Sequence, residues 1–399
     1  EPAPCIDSVR YPTAFLPSVI FSINLKILIL FSTSTPFLPA RYFFNIGPAS
    51  GCLKSCSDGN VTINPPAMSC ANLLISYGNL VTLCLQTCAN ISSFRNTPDF
   101  IFCPWCEDAI PAAKIVSSID ELLGENLDLL VVASTNDSHA TLAIAALKAG
   151  VPVVVDKPMG RTLKETQEII DVSKQTKVAV TTYFNRKWDS DSLTIKKLIS
   201  QGVLGNIFRL DSRFERFNPK LKSDSWREKQ SAAQCGGNLL DLQPHLVSTA
   251  LDWFGPAKLV TSSVRSIRGA ADDDITLVLK HDSGVDSYLS ASAIIGGGGP
   301  RIRLSGDNGT LLIQDLDPQE ALLKSGAKPV NGKWQQSTKS KAFIHRGDEV
   351  TEYDSVDGNY TEFYTQVNGA LSGGKWPVSI DEALAVAAII DQAREASFR

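Results

Sequence analysis

Between residues 128 and 182, three short apolar runs alternate with two segments of helical period, and this rhythm restricts the fold more than any other feature of the chain. The runs are Asp128-Leu-Leu-Val-Val-Ala133, Val151-Pro-Val-Val-Val155 and Lys177-Val-Ala-Val-Thr-Thr182. Each is apolar throughout or nearly so, the pattern of strands buried on both faces of a parallel sheet. Residues 138–149 place Leu142, Ala145 and Ala146 at helical spacing with Gly150 positioned to end the helix, and residues 163–175 form the second helix. Parallel neighbours need crossover connections, so this alternation predicts right-handed βαβ units, half of a doubly wound sheet.

Past Asn185 the rhythm changes. A helix over 192–201 leads into predicted strands over 207–214, 259–266, 275–280, 285–292, 302–305 and 310–314. Turns such as Asp282-Ser-Gly284 and Gly306-Asp-Asn-Gly309 are too short for crossovers, so this sheet is expected to be mainly antiparallel. Two further helices are read over 236–254 and 380–393. The expected architecture is an α/β unit over 111–184 followed by an α+β unit over 185–399 with a large, mainly antiparallel sheet.

The first 110 residues are of another kind. They hold 11 charged residues against 69 in the remaining 289, and none lies between Gly59 and Phe94. A solvated helix face or half-buried strand normally carries charge, so this segment has no ordinary amphipathic pattern. Eight of the nine cysteines (Cys5, Cys52, Cys56, Cys70, Cys84, Cys88, Cys103 and Cys106) fall here, with Cys235 alone beyond. Cys103-Pro-Trp-Cys106 has the spacing of a zinc or thiol-exchange motif, but no second C-x-x-C accompanies it, and no metal site is expected. The most apolar run, residues 19–31, is interrupted by Lys26 and falls short of the roughly 20 residues of a spanning helix, so no membrane segment is expected. A net charge of −4 without a basic stripe excludes general nucleic-acid or anionic-membrane binding. The whole reads as a cytoplasmic globular protein.

Residues with chemistry collect where the parallel runs end, the edge at which open α/β sheets bind ligands. Asp156-Lys157-Pro158 follows the second run, and a lysine there can hydrogen-bond a substrate oxygen and stabilise developing negative charge. Such a lysine is otherwise a solvated loop residue. Asp241 and His245 are spaced to share one helix face, which suits a general base, His245, with Asp241 orienting it or binding substrate hydroxyls. The plain alternative is an acid in the first turn of a helix beside an ordinary histidine. Asn136 or Ser138 equally suits helix capping, and Trp188 equally suits packing. Gly296 to Gly299 precedes no helix and reads as a loop, not a phosphate site. His281 and His345 show no evident partner.

Four motifs in order, Thr135-Asn-Asp-Ser-His139, Asp156-Lys157-Pro158, Asn185-Arg-Lys-Trp188 and Gly236-Gly-Asn-Leu-Leu-Asp241-Leu-Gln-Pro-His245, resemble the Gfo/Idh/MocA family of NAD(P)-dependent oxidoreductases from about Val116 onward. Residues 185–216 and Asp317-Pro318-Gln319 look most like its scyllo-inositol dehydrogenase-like branch. The resemblance implies a Rossmann-type sheet, NAD or NADP as cofactor, and a polyol, inositol or sugar-like alcohol as substrate. It implies catalytic roles for Lys157, Asp241 and His245. It places Ser134, Thr135, Asn136, His139, Asp156, Lys157, Pro158, Asn185 and Arg186 on the cofactor side, and any self-association on the C-terminal sheet. Pro244 stands where the family often has Gly or Ser.

The family's G-x-G-x-x-G turn is missing. Residues 1–110 contain only Gly47, Gly51, Gly59 and Gly78, which cannot form it, so the Rossmann-type sheet is expected to be incomplete. Residues 1–110 are either an unrelated extension or sequence translated from outside the true reading frame; the charge desert, the cysteine excess and the absence of an initiator Met favour the latter. Three activities stay open: an oxidoreductase, a non-catalytic dinucleotide or metabolite sensor on the same scaffold, and an inactive fragment.

Overall fold

The computed structural model describes residue 116 and residues 118–221, 236–325 and 339–396, together with the backbone of three short strands nearer the N-terminus. Those strands are β1 (Ile27–Leu30), β2 (Asn72–Tyr77) and β3 (Leu80–Leu85), the last two forming an antiparallel hairpin. The Cys103/Cys106 pair, Cys235 and most of residues 1–110 lie outside the described residues.

The three apolar runs form β4 (Leu129–Val132), β5 (Val153–Val155) and β6 (Val180–Thr182), parallel and adjacent in that order. Every residue in them is buried, because helices cover one face and the second sheet's helices the other. A fourth parallel strand, β1, pairs with β4 in register Ile27 to Leu129, an addition not expected from its place in an apolar run without strand periodicity. The crossovers are α2 (His139–Lys148) and α3 (Leu163–Thr176), preceded by a short α1 (Ile119–Leu123). Thr162 caps α3 by accepting from the Glu165 amide, and Lys177 ends it in the left-handed conformation (φ 58°). Leu130, Val153, Ala146, Ile169 and Ile170 fill the core between this sheet and its helices.

α4 (Ser190–Ser200) leads into an eight-stranded sheet ordered β14, β13, β12, β11, β7, β10, β9, β8. Its strands are β7 (Ile207–Glu215), β8 (Ala257–Arg265), β9 (Asp274–His281), β10 (Asp286–Ser292), β11 (Ile302–Gly306), β12 (Gly309–Ile313), β13 (Ala342–Arg346) and β14 (Glu349–Tyr353). It is antiparallel except at its centre, where β7 and β10 run parallel. The sheet is mainly antiparallel, as expected, and β7 enters it between two later hairpins. The hairpin of β13 and β14 went unpredicted because β14 is almost wholly exposed and carries Glu, Thr and Glu with little apolar signal.

Alternation decides the buried face: Ile275, Leu277 and Leu279 of β9 face inward while Thr276, Val278 and Lys280 face out. α5 (Asn238–Asp241), α6 (Gln243–Phe254) and α9 (Ile380–Ala396) pack against this sheet, and α7 (Gln319–Lys324) and α8 (Thr361–Leu371) add Leu323, Phe363 and Val367 to the same core. α9 joins the two halves, packing on α3 and β6 as well as on α6 and β8. Among the described residues no helix is long and apolar enough to cross a membrane.

Leu289 is fully buried on central strand β10. Truncation to Ala is expected to destabilise the fold by about 2 to 5 kcal/mol, read as a lower denaturation midpoint at unchanged slope. A loss below about 1 kcal/mol would mean that the sheet and its covering helices are not packed as described.

Candidate active site

The site forms where β5 and β6 end and α5 begins. The Lys157 backbone N–H donates to the Asp156 carboxylate at 2.8 Å, a local turn that aims the lysine side chain away from the strand. Its ammonium is 5% exposed and donates to both the backbone oxygen and the carboxylate of Asp241, at 2.6 and 2.7 Å. An ammonium has three donors, so one remains after Asp241 takes two.

Asp241 and His245 do not share one helix. The chain breaks at Leu242, ending α5 at Asp241 and starting α6 at Gln243, with Pro244 in its first turn. Proline has no N–H to donate and is at home there, so a single helix over 236–254 gives way to two. The Asp241 carboxylate is thereby turned onto Lys157, not onto His245. His245 is nonetheless buried beside them, its Nδ1 without a partner and its ring edge-on to Phe214 at 6.4 Å. Burial holds the imidazole well below the usual histidine range; the Lys157 and Arg186 cations push it further down, outweighing Asp241 and Glu320.

The turn after β6, Asn185–Trp188, brings in Arg186. Its Nη1 donates to the Tyr360 hydroxyl at 2.9 Å and pairs with Asp189 at 3.3 Å, while Nη2 pairs with Glu320. Its guanidinium lies 5.7 Å from the Phe214 ring, and Arg301 lies 4.0 Å from the same ring. Trp188 packs edge-on to Phe363 and belongs to the core. Lys187, which sequence reasoning passed over, is buried and pairs with Asp252 and Glu382.

The loop after β4 holds Ser134, Thr135 and Asn136. The Ser134 hydroxyl bonds that of Ser138, which also donates to the Thr135 carbonyl, so neither Asn136 nor Ser138 caps α2. His139 is fully buried, its Nδ1 2.8 Å from the Pro158 carbonyl and its Nε2 3.2 Å from that of Ser134. It fastens the β4 and β5 loops together from below and presents no surface of its own. The Thr135 and Thr182 hydroxyls are buried without partners. Two orphaned hydroxyls beside parallel strand ends suit the amide and ribose groups of a dinucleotide's nicotinamide half. No glycine turn for its pyrophosphate occurs among the described residues.

His281, which the sequence left without a partner, has two: the Gly255 carbonyl and the Ser287 hydroxyl, each 2.9 Å away. It is a core residue remote from Lys157. Gly296 to Gly299 form a loop after β10, with no helix following.

An oxidoreductase family with an NAD-binding Rossmann fold matches residues 104–184, and the Gfo/Idh/MocA C-terminal domain matches residues 192–312. The chain belongs to the Gfo/Idh/MocA oxidoreductase family. It is 33% identical to the Escherichia coli (strain K12) oxidoreductase YdgJ over 287 residues, covering 70% of this chain and 82% of the relative. It is 32% identical to the NADP(+)-dependent scyllo-inositol 2-dehydrogenase IolW of Bacillus subtilis (strain 168), over 72% of this chain and 82% of the relative. The solved structure of the oxidoreductase yvaA from Bacillus subtilis superposes with a TM-score of 0.69 at 29% identity, over 75% of this chain and 87% of that one. The family's enzymes are NAD(P)-dependent oxidoreductases, and the present chain is one of them by descent.

A histidine held low by folding contributes stability that is complete above its unfolded value near 6.5 and is lost as pH falls from there toward its folded value. The His245 ring is expected to titrate well below 6.5 in an NMR titration, and Lys157→Met, which removes a facing cation, should raise that midpoint. An unchanged midpoint would separate Lys157 from His245.

Proposed function

We propose that this chain passes a hydride between NAD(P) and a small polyol, inositol or sugar-like alcohol, with Lys157, Asp241 and His245 as its catalytic residues. The observation that carries this reading is the buried Lys157 ammonium, held by Asp241 with one donor to spare, beside a buried histidine with an unpartnered ring nitrogen. Asp241 fixes the ammonium against the strand end, and the spare N–H of Lys157 holds the substrate oxygen. As the alcohol becomes a carbonyl, its O–H proton goes to the neutral His245 ring, which burial keeps unprotonated and ready. Residues 134–136 and 185–186 would hold the nicotinamide half of NAD or NADP, which when bound would supply the acceptor for the hydride. Likeness to a scyllo-inositol dehydrogenase supports a polyhydroxylated substrate. A sensor on this scaffold has no use for all three groups together.

Cofactor capture is the weak half of this reading. A glycine turn supplies backbone N–H contacts to a pyrophosphate, each about 1.5 to 3 kcal/mol when charge-assisted. Without two of them the chain is expected to bind NAD(H) or NADP(H) about a hundredfold or more weakly than a family member with the turn.

Fusing a family-type first βαβ unit ahead of residue 112 is expected to restore cofactor binding and scyllo-inositol oxidation. In that protein Lys157→Ala should abolish turnover while cofactor Kd, measured by fluorescence titration, stays within a few-fold. Retained turnover would remove Lys157 from the chemistry. Micromolar cofactor binding by the unaltered chain would assign residues 1–110 a phosphate site of another design.

A further inference from the structure

Asp317-Pro318-Gln319, part of the sequence resemblance, has no place in the chemistry above, yet it is wholly built into the site's wall. The Asp317 carboxylate accepts from the amides of Ser190 at 2.6 Å and Gln319 at 2.7 Å. The Gln319 side chain donates to the Trp188 carbonyl and accepts from the Tyr360 amide. Asp317 and Gln319 are buried. This clamp therefore holds together the turn bearing Arg186, the Tyr360 backbone and the start of α7, and α7 delivers Glu320 to Arg186.

Two carboxylates flank the Arg186 guanidinium, and they are not equivalent. Asp189 lies in the same turn as Arg186, where burial pushes its carboxyl above the usual range against the pull of that cation, whereas Glu320 reaches in from α7 with its side chain 31% exposed. Burial also raises Glu320, but Arg186 and Lys324 outweigh it and hold Glu320 at about 2. Glu320 is thus the counter-charge on the open side of Arg186, shared with Lys324, while Asp189 closes the buried side. The charged groups facing His245 are then two cations, Lys157 and Arg186, and two anions, Asp241 and Glu320. An anionic substrate finds no unbalanced cation among these groups.

Resting on the polyol reading, we propose that Glu320 is a specificity-determining residue that neutralises Arg186 and so makes the site select an uncharged polyol over a phosphorylated one. Glu320 acts through Arg186 and is a positioning residue, not a catalytic one.

The test is calorimetric titration of the full chain with scyllo-inositol and with scyllo-inositol monophosphate. Wild type is expected to bind inositol and to bind its phosphate at least about tenfold more weakly. Glu320→Gln, which removes the counter-charge on the open side of Arg186 and leaves Asp189 in place, should gain about tenfold or more for the phosphate, as expected for one less-screened charge at contact range in a partly buried site. Glu320→Asp should keep the wild-type preference, and Glu320→Gln combined with Arg186→Gln should lose the gain. Glu320→Ala serves the same comparison if the Gln variant does not fold. Equal phosphate affinity in wild type and the Gln or Ala variant, or a wild type that prefers the phosphate, overturns the proposal. A wild type that binds no inositol overturns the polyol reading instead, while the gain of phosphate affinity, or its absence, still decides the role of Glu320.

Discussion

The Lys157 ammonium cannot be where it is without Asp241. Removing an ammonium from water costs several kcal/mol even after relaxation, and this one is 5% exposed. Its partner lies 84 positions later in the chain, on the first helix beneath the antiparallel sheet. The ion pair therefore sets how the parallel sheet's strand ends meet the second half of the protein. The loop that presents Lys157 is pinned from other directions too: Asp156 holds its amide, and His139 of α2 reaches the Pro158 carbonyl. A group whose charge must be satisfied in one geometry, on a loop that cannot drift, is preorganised for stabilising a substrate oxygen.

Around the neighbouring turn, stability comes from polar groups that have nowhere else to go. α4 begins in the interior, where its first amides have no water, and Asp317 supplies the carboxylate that one of them needs. Burial of that carboxylate raises it to about 6, so above that pH it enters the interior charged. The Ser190 hydroxyl bridges the Val356 carbonyl and the Ser340 amide, tying the same helix start to two further segments. The wall of the site is thus a hydrogen-bonded unit, and moving Arg186 would require breaking several such contacts together.

How much of this could be read from the sequence follows from which interactions are local. β4, β5 and β6 and their two crossover helices were legible because burial on both faces leaves runs such as Val153-Val-Val155 with no polar residue, a local signal. The inner and outer residues of β9 alternate, and that too is local. The spacing of Asp241 and His245 suggested one continuous helix, but Pro244 lies in the first turn of a second one; which partner Asp241 chooses is settled by Lys157, 84 residues away. His281 looked alone because its partners, Gly255 and Ser287, come from a preceding loop and a neighbouring strand. Lys187 escaped notice because a buried lysine has no local signature; only its pairing with Asp252 and Glu382 makes the position tolerable. Arg186 was placed on the cofactor side by resemblance alone, whereas its ties to Glu320 and Tyr360 depend on the distant Asp317 clamp.

The reacting half of the site and the phosphate-binding half are physically separable. Among the described residues, Lys157, Asp241, His245 and Arg186 are held by contacts among β5, β6, α5, α6 and α7. A pyrophosphate turn contributes affinity through backbone amides placed before a helix, and its presence or absence leaves the charges around His245 unaltered. The geometry proposed to move a proton from a carbinol and the geometry that anchors a dinucleotide therefore make independent demands on the chain. Among the described residues, Lys157 finds its partner in Asp241, and Arg186 in Asp189, Glu320 and Tyr360. A buried lysine with its ion pair is a costly arrangement, since a core without chemistry is as well filled by apolar side chains of the same volume, and that cost supports the catalytic role proposed for Lys157 and Asp241.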